Sequence, residues 1–151
     1  MADQVIRRGG FSDQSLLLEL IREFYDIDGH HFDADRLQAA LPPLLEDDRF
    51  GVVWLIGEPV CGYAVVTWSY SLESGGPDAL LDEIYIRERG SGLGGRAMAA
   101  ILEDLQRRGL TRMFLETERP NERVRRFYSR LGFVEEDSRW MVWNTQASGT
   151  H

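Results

Sequence analysis

The sequence predicts a mixed α/β fold of the α+β kind. One mostly antiparallel central sheet of about six to seven strands is expected, flanked by about four helices, with a single β-α-β unit in the middle. Three observations carry this. Strand-like runs in the first half are joined by short turns as hairpins, at 50–70 and onward to 80–86. One strand, glycine turn, helix and strand follow in order across 80–118. Helical periodicity appears in four places: 11–28, 33–48, 93–108 and 119–132.

The elements follow in order. "QVIRRG" reads as a short first strand. "FSDQSLLLELIREFYDID" reads as a helix, with Ser12 as N-cap and Phe11 and Leu16 placed as a hydrophobic staple. Its apolar face is Leu17, Leu20, Ile21 and Phe24, spaced 0, 3, 4, 7. "DGHHFDAD" is a loop. "DADRLQAALPPLLEDD" is helical but expected to break at Pro42 and Pro43. "FGVVWLIGEP" and "VCGYAVVTWSY" are two strands meeting at "GEP". "SLESGGPDA" is a turn-rich loop, and "LLDEIYI" is a fourth strand. After the glycine turn and its helix, "TRMFLETE" is a fifth strand. "RPNERVRRFYSRLG" is a helix with Val124, Phe127, Tyr128 and Leu131 on one face, ended by Gly132. "FVEED" and "RWMVWN" read as two closing strands, and 145–151 as a flexible tail.

Length and charge bound the function. A chain of 151 residues is the size of one domain, read here as spanning 1–151, and buries roughly 70% of its unfolded surface. No apolar run reaches the roughly 18 residues a membrane span needs. The N-terminus has no apolar signal region, and Cys61 is the only cysteine. Both fit a reducing cytoplasm, with Cys61 a buried, inert thiol in a strand-like run rather than a disulfide partner. Residues 1–75 hold 5 Arg against 13 acidic residues, whereas 76–151 hold 12 of each, and there is no lysine. A net charge of −8 argues against nucleic acid, because phosphate neutralisation supplies most of that affinity. The arginines crowd around 87–96 and 107–130, where a small anionic ligand would be held.

"RERGSGLGGR", residues 87–96, contains G-x-G-x-x-G as Gly90, Gly92 and Gly95. Glu116 and Glu118 fall about 20 residues on, so the dinucleotide pattern is complete. The context opposes it. A dinucleotide fold needs two β-α-β-α-β halves, the upstream chain is hairpin-like, and only 56 residues follow Gly95. No G-x-x-x-x-G-K-[ST] occurs, which disfavours ATP. A glycine turn at a helix N-terminus nonetheless offers converging N–H donors and a favourable dipole to a pyrophosphate. Gly90, Gly92 and Gly94 permit close backbone approach. Arg89 and Arg96 add charge-assisted contacts.

The same turn reads better as R-G-x-G-x-G, at Arg89, Gly90, Gly92 and Gly94. Downstream lie Asn121, then Phe127-Tyr128, then Leu131-Gly132-Phe133. This pair of motifs at this spacing resembles the GNAT superfamily of acyl-CoA-dependent N-acetyltransferases, over essentially the whole chain. "TWSYSLESGGPDALLDEIYI" is similar to a stretch found in small bacterial members of unassigned substrate. The resemblance implies acetyl-CoA as co-substrate, no metal, and a small-molecule amine as acceptor. It implies that the pyrophosphate sits on Arg89, Gly90, Ser91, Gly92, Leu93, Gly94, Gly95 and Arg96. It also implies that the pantetheine arm bonds main-chain atoms of Ile84, Tyr85 and Ile86, and that Asn121 contacts the cofactor. One departure is a short lead-in: only Arg87 and Glu88 separate Ile86 from Arg89.

Acetyl transfer to an amine needs a neutral amine, an oxyanion donor and a proton for the departing thiolate. The resemblance makes Tyr128 the acid. A phenol near pKa ~10 can protonate a thiolate whose acid lies near ~8.5, while periodicity alone makes Tyr128 a core residue. For the base, Glu83 is favoured with Asp82 as runner-up, acting directly or through water. Strand alternation points the two to opposite faces. Asn121 could equally cap its helix. His30 and His31, adjacent on a loop, are a weak metal signal. The acidity of the first half favours a cationic acceptor, with an acidic surface for solubility as the plain alternative. The competing function is a catalytically degenerate acyl-CoA-binding sensor or interaction module. Exposed strand edges and "RWMVWN" could support a homodimer.

Overall fold

The computed structural model describes residues 4–117 and 121–145. They belong to two units, 1–120 and 121–151, taken in turn. The expected tail lies outside the described residues except for Thr145, and so does Glu118.

The first unit follows the expected order. It runs β1 (Ile6–Arg8), α1 (Gln14–Asp28), α2 (Ala34–Glu46), β2 (Gly51–Ile56), β3 (Gly62–Ser71), β4 (Gly76–Ile86), α3 (Leu93–Arg107) and β5 (Met113–Phe114). The sheet order is β1-β2-β3-β4-β5, antiparallel except for the parallel β4–β5 pair. The β4–α3–β5 passage is thus the predicted β-α-β unit. Helices α1 and α2 cover one face. Leu17, Leu20 and Ile21 of α1 and Leu41 and Leu45 of α2 form one core with Val53, Leu55, Tyr63 and Val65. By strand alternation Val52, Ile56 and Val66 face the other way. Helix α3 has its own buried row, Ala97, Met98, Ile101 and Leu105.

Three expectations are corrected. First, α1 is not capped by Ser12. A 3-10 turn at Phe11–Asp13 precedes it, and Asp13 takes the N-cap position. The Asp13 carboxylate accepts from the Gly10 N–H at 2.9 Å and from both arms of the Arg7 fork at 3.0 and 3.1 Å. A serine hydroxyl cannot serve a fork and an amide together. Second, α2 runs unbroken through Pro42 and Pro43. The prolines remove two backbone donors, but Leu41 and Leu45 on either side are 4% and 3% exposed, and their burial carries the helix across. Third, among the described residues the sheet has five strands, not six or seven. "FVEED" and "RWMVWN" form no ladder among the described residues. Apolar pattern marks a candidate strand, but only a hydrogen-bonded neighbour makes one. The fifth strand is likewise shorter than 111–118.

Asp78, at 1% exposure the one buried charged residue of the described core, locks the β3–β4 hairpin. It accepts from the Ser69 hydroxyl and, at 2.7 Å, from the Ser74 hydroxyl. Arg112 in turn donates to Ser74 Oγ at 3.2 Å. The Ser69 hydrogen bond holds the carboxyl below its ordinary range against the opposing cost of burial. Asp78→Ala strands these donors and is expected to cost about 1–3 kcal/mol, read by urea denaturation. Because the folded carboxyl is depressed, the wild-type advantage is present above the ordinary aspartate range. It fades as pH falls through the lowered value.

In the second unit, α4 spans Glu122–Arg130. Asn121 caps it: its side-chain oxygen accepts from the N–H groups of Arg123 and Val124 at 3.1 and 3.3 Å. At the other end Gly132 has φ 100°. Gly132 N–H donates to Ser129 O and Phe133 N–H to Tyr128 O, both at 3.0 Å. That is a Schellman stop, with Phe133 meeting Tyr128 ring to ring at 5.4 Å. The stretch "FYSRLGF" therefore has a local structural meaning as a helix ending.

Candidate functional site

The site builds from an irregularity in β4. Val66 pairs with Leu81, but the next residue of β3, Val65, pairs with Glu83. Asp82 is the extra residue of a β-bulge. Cross-strand partners share a face, so Leu81 lies on the Val66 face and Glu83 on the Val65 face, under α1 and α2. In a regular strand Leu81 and Glu83, two apart, would face the same way. The bulge re-aims Glu83, and simple alternation through Asp82 and Glu83 misses this.

Glu83 is met there by two phenols. The Tyr63 hydroxyl donates to Oε1 at 2.7 Å and the Tyr25 hydroxyl to Oε2 at 2.5 Å. Burial pushes the Glu83 carboxyl above its ordinary range, while the two phenol bonds and His30 oppose the shift and Asp82 adds to it. Burial raises Asp82 as well, although its side chain reaches solvent. Glu83 is the more enclosed acid and the one with a defined hydrogen-bonded seat. Burial likewise raises the Tyr25 and Tyr63 phenols, which stay protonated donors.

Beyond the bulge, Ile84, Tyr85 and Ile86 pair with Ala64, Tyr63 and Gly62 of β3. On its other edge β4 meets β5 only at Ala79 and Leu80. The β4 edge from Leu81 to Ile86 therefore has no ladder partner among the described residues. In the short lead-in, Arg87 turns toward α1. Its guanidinium forks onto Glu23 of α1 at 2.8 and 2.5 Å, and the Tyr85 hydroxyl donates to the same carboxylate at 3.2 Å. Arg87 ties α1 to the end of β4.

The turn itself places Gly90 at φ 84° and Gly92 at φ 80°, conformations that a side chain resists. Gly92 is the N-cap of α3 and brings no capping side chain. The helix ladder begins at Arg96 N–H, which donates to Gly92 O at 3.2 Å. Ser91 Oγ accepts from Leu93 N–H at 3.3 Å, and the amides of Gly94 and Gly95 lie in the same uncapped first turn. Among the described residues, nothing lies within 4 Å of a would-be Cβ on Gly90, Gly92 or Gly95. Arg89 and Arg96 are exposed, and neither has an ion-pair partner among the described residues. An open cradle of amides with two arginines beside it fits an anion of pyrophosphate type. Gly95 does not have a positive φ, so the third glycine of the dinucleotide pattern is not conformationally required.

The remaining expected residues, Tyr128 and Asn121, belong to the second unit. Burial pushes the Tyr128 phenol up, and its ring meets Phe127 at 5.0 Å. Cys61 is half-buried with its thiol raised by burial, so it is no activated nucleophile. His30 pairs with Asp28 at 2.7 Å. Sequence reasoning missed Tyr25 and Tyr63. A signal was present: Tyr25 continues the Leu17 and Ile21 row at i+4, and a tyrosine pointed into a core brings a hydroxyl that needs a partner.

A family model of the acetyltransferase (GNAT) family matches residues 14–133. Among solved structures, an integron cassette protein from the mobile metagenome of Cole Harbour Salt Marsh is similar, with TM-score 0.82 and 29% identity over 93% of this chain and 90% of that one. A protein from Arthrobacter sp. FB24, described as a candidate acetyltransferase, has TM-score 0.78 and 29% identity over 97% of both chains. A protein from Clostridium acetobutylicum, described as a predicted acetyltransferase and solved with acetyl-CoA, shares the fold at TM-score 0.75 and 18% identity, over 92% of this chain and 94% of that one. No curated protein matches the sequence significantly. The motif pair, the β-α-β unit with its open glycine turn and the family match over 14–133 agree, and the chain belongs to the GNAT acetyltransferase family.

Proposed function

We propose that this acetyltransferase moves the acetyl group of acetyl-CoA to a primary amine by direct attack in a ternary complex. The observation that carries this is the arrangement along β4. A bulge turns Glu83 into the α1–α2 side, and within nine residues the same strand becomes an open edge and then an uncapped helix N-terminus. Acetyl-CoA, when bound, supplies the thioester. Gly90, Ser91, Gly92, Leu93, Gly94, Gly95, Arg89 and Arg96 hold its pyrophosphate. Main-chain groups of Ile84 and Ile86 hold the pantetheine arm and the Ile84 N–H donates to the developing oxyanion, whereas the Tyr85 main chain, in phase with the Arg87 N–H to Cys61 O bond, is turned to β3. Glu83 takes the amine proton, directly or through water, with Asp82 as the runner-up. Tyr128 gives a proton to the departing thiolate. Asn121, whose oxygen caps α4, contacts the cofactor through its remaining amide. The acid-rich first half favours a cationic amine, and preferential turnover of neutral or acidic amines would sink that part.

A thermal-shift titration with acetyl-CoA, NAD and ATP tests the reading. Acetyl-CoA at a hundredfold excess over Kd is expected to raise Tm by about 5 °C or more, with little effect of the other two. Stabilisation by NAD alone overturns it. Gly92→Val puts a branched side chain at a positive φ costing about 1–2 kcal/mol and blocks the amides. It is expected to weaken acetyl-CoA about tenfold or more, read by the same titration.

A further inference from the structure

We propose that Tyr25 and Tyr63 are positioning residues that clamp the Glu83 carboxylate, one phenol on each oxygen, so that it presents its remaining lone pairs to the acceptor in a fixed orientation. This deepens the reading of Glu83 as base and rests on it.

The clamp is built from two different elements. Tyr63 is fully buried and stands on β3, where it pairs with Tyr85 while Val65 pairs with Glu83. It is therefore the diagonal neighbour of Glu83 on the same face, set by sheet register. Tyr25 comes from the last turns of α1. Its ring is wedged against Phe24 at 5.9 Å and Phe32 at 6.3 Å. Phe24 in turn packs on Tyr85 at 5.6 Å and Tyr63 at 6.5 Å. The rings fix where both hydroxyls point. Each phenol has one proton to give, and an ionised carboxylate can take both. Each oxygen then keeps a second acceptor direction for the amine proton or a water.

The clamp also sets the ionisation state. Bonds from two donors favour the anion that burial disfavours. The groups facing Glu83 are Tyr25 from α1, His30 from the loop after it, Tyr63 from β3, and Asp82 on β4 itself. Glu23, nearby on α1, is occupied by Arg87 and Tyr85. Removing one phenol hydroxyl takes away one charge-assisted bond, and the carboxyl is then expected to hold its proton to higher pH.

The test is an NMR titration of protein carrying 13C-labelled glutamate, with the Glu83 carboxyl assigned by its loss in Glu83→Gln. It compares wild type, Tyr25→Phe and Tyr63→Phe, alongside the pH profile of kcat/KM for a fixed amine. Tyr25→Phe is expected to move the Glu83 midpoint up by about one pH unit. The acid limb of kcat/KM should move with it, while KM for acetyl-CoA stays within about twofold. Tyr63→Phe should do the same. If that fully buried site does not tolerate the change, half-buried Tyr25 still decides the question. An unmoved Glu83 midpoint in Tyr25→Phe overturns the clamp whatever the activity. A moved midpoint in a protein whose acid limb stays put leaves the clamp standing and removes Glu83 as the base, so the two ideas fail separately.

Discussion

Glu83→Gln is expected to lower kcat/KM for the amine by about 10²–10⁴-fold, the usual contribution of a positioned base, with acetyl-CoA affinity within about twofold of wild type. Gln keeps the size: its amide oxygen still accepts from one phenol, and its NH2 donates to the hydroxyl oxygen of the other, which turns, so the seat stays filled while the proton acceptor is lost. The pH profile is the sharper readout. Wild-type activity needs the carboxylate, and burial places its pKa above the ordinary glutamate range. Activity should therefore fall as pH drops through that raised value, and the limb should vanish in Glu83→Gln. A limb that persists in the variant assigns the base role elsewhere, first to Asp82. Stability follows a related sign. A carboxyl whose folded pKa is raised stabilises the fold fully below its unfolded pKa, and that contribution is lost as pH rises through the folded value. The Tm difference between wild type and Glu83→Gln should therefore favour wild type more at low pH than at neutral pH.

Tyr128→Phe is expected to lower kcat by about 10²–10³-fold, within the range for general acid catalysis, while acetyl-CoA affinity changes by less than about threefold. The hydroxyl is the only group removed. The ring contacts with Phe127 and Phe133, and the backbone bond from Phe133 N–H to Tyr128 O that ends α4, are all kept. Burial raises the phenol, so it remains protonated across the working pH range and can serve as an acid. Equal losses in turnover and in cofactor affinity would assign Tyr128 to packing. This separation matters because "FYSRLGF" already has a full account as a helix ending, and only kinetics distinguishes a structural tyrosine from an acid.

Much of the fold was legible because its signals are local. The apolar spacing of Leu17, Leu20 and Ile21 marks α1, and the run of hairpin strands gives the antiparallel sheet. Gly132 marks the end of α4, and Asn121 its cap. The glycine turn before α3 was legible because positive φ at Gly90 and Gly92 leaves little choice of residue. What escaped depends on pairing between distant segments. The face of Glu83 is set by which residue of β3 sits opposite it, and a bulge at Asp82 shifts that pairing by one. Tyr25 and Glu83 are 58 positions apart, so their contact exists only once α1 lies over β3 and β4. Pro42 and Pro43 misled for the same reason: the break they propose locally is overridden by the burial of Leu41 and Leu45. Arg87 sat inside the most conspicuous motif, yet it serves α1 rather than the turn.

The most direct measurement of the central claim is release of free thiol from acetyl-CoA in the presence of an amine panel, with the amine products identified by mass spectrometry. Saturable, amine-dependent thiol release with formation of the N-acetylated amine is the predicted result, strongest for cationic amines and suppressed in Glu83→Gln and Tyr128→Phe. Binding of acetyl-CoA with no thiol release above the background of a Glu83→Gln, Tyr128→Phe double variant across the whole panel would contradict it and leave the chain an acyl-CoA-binding module.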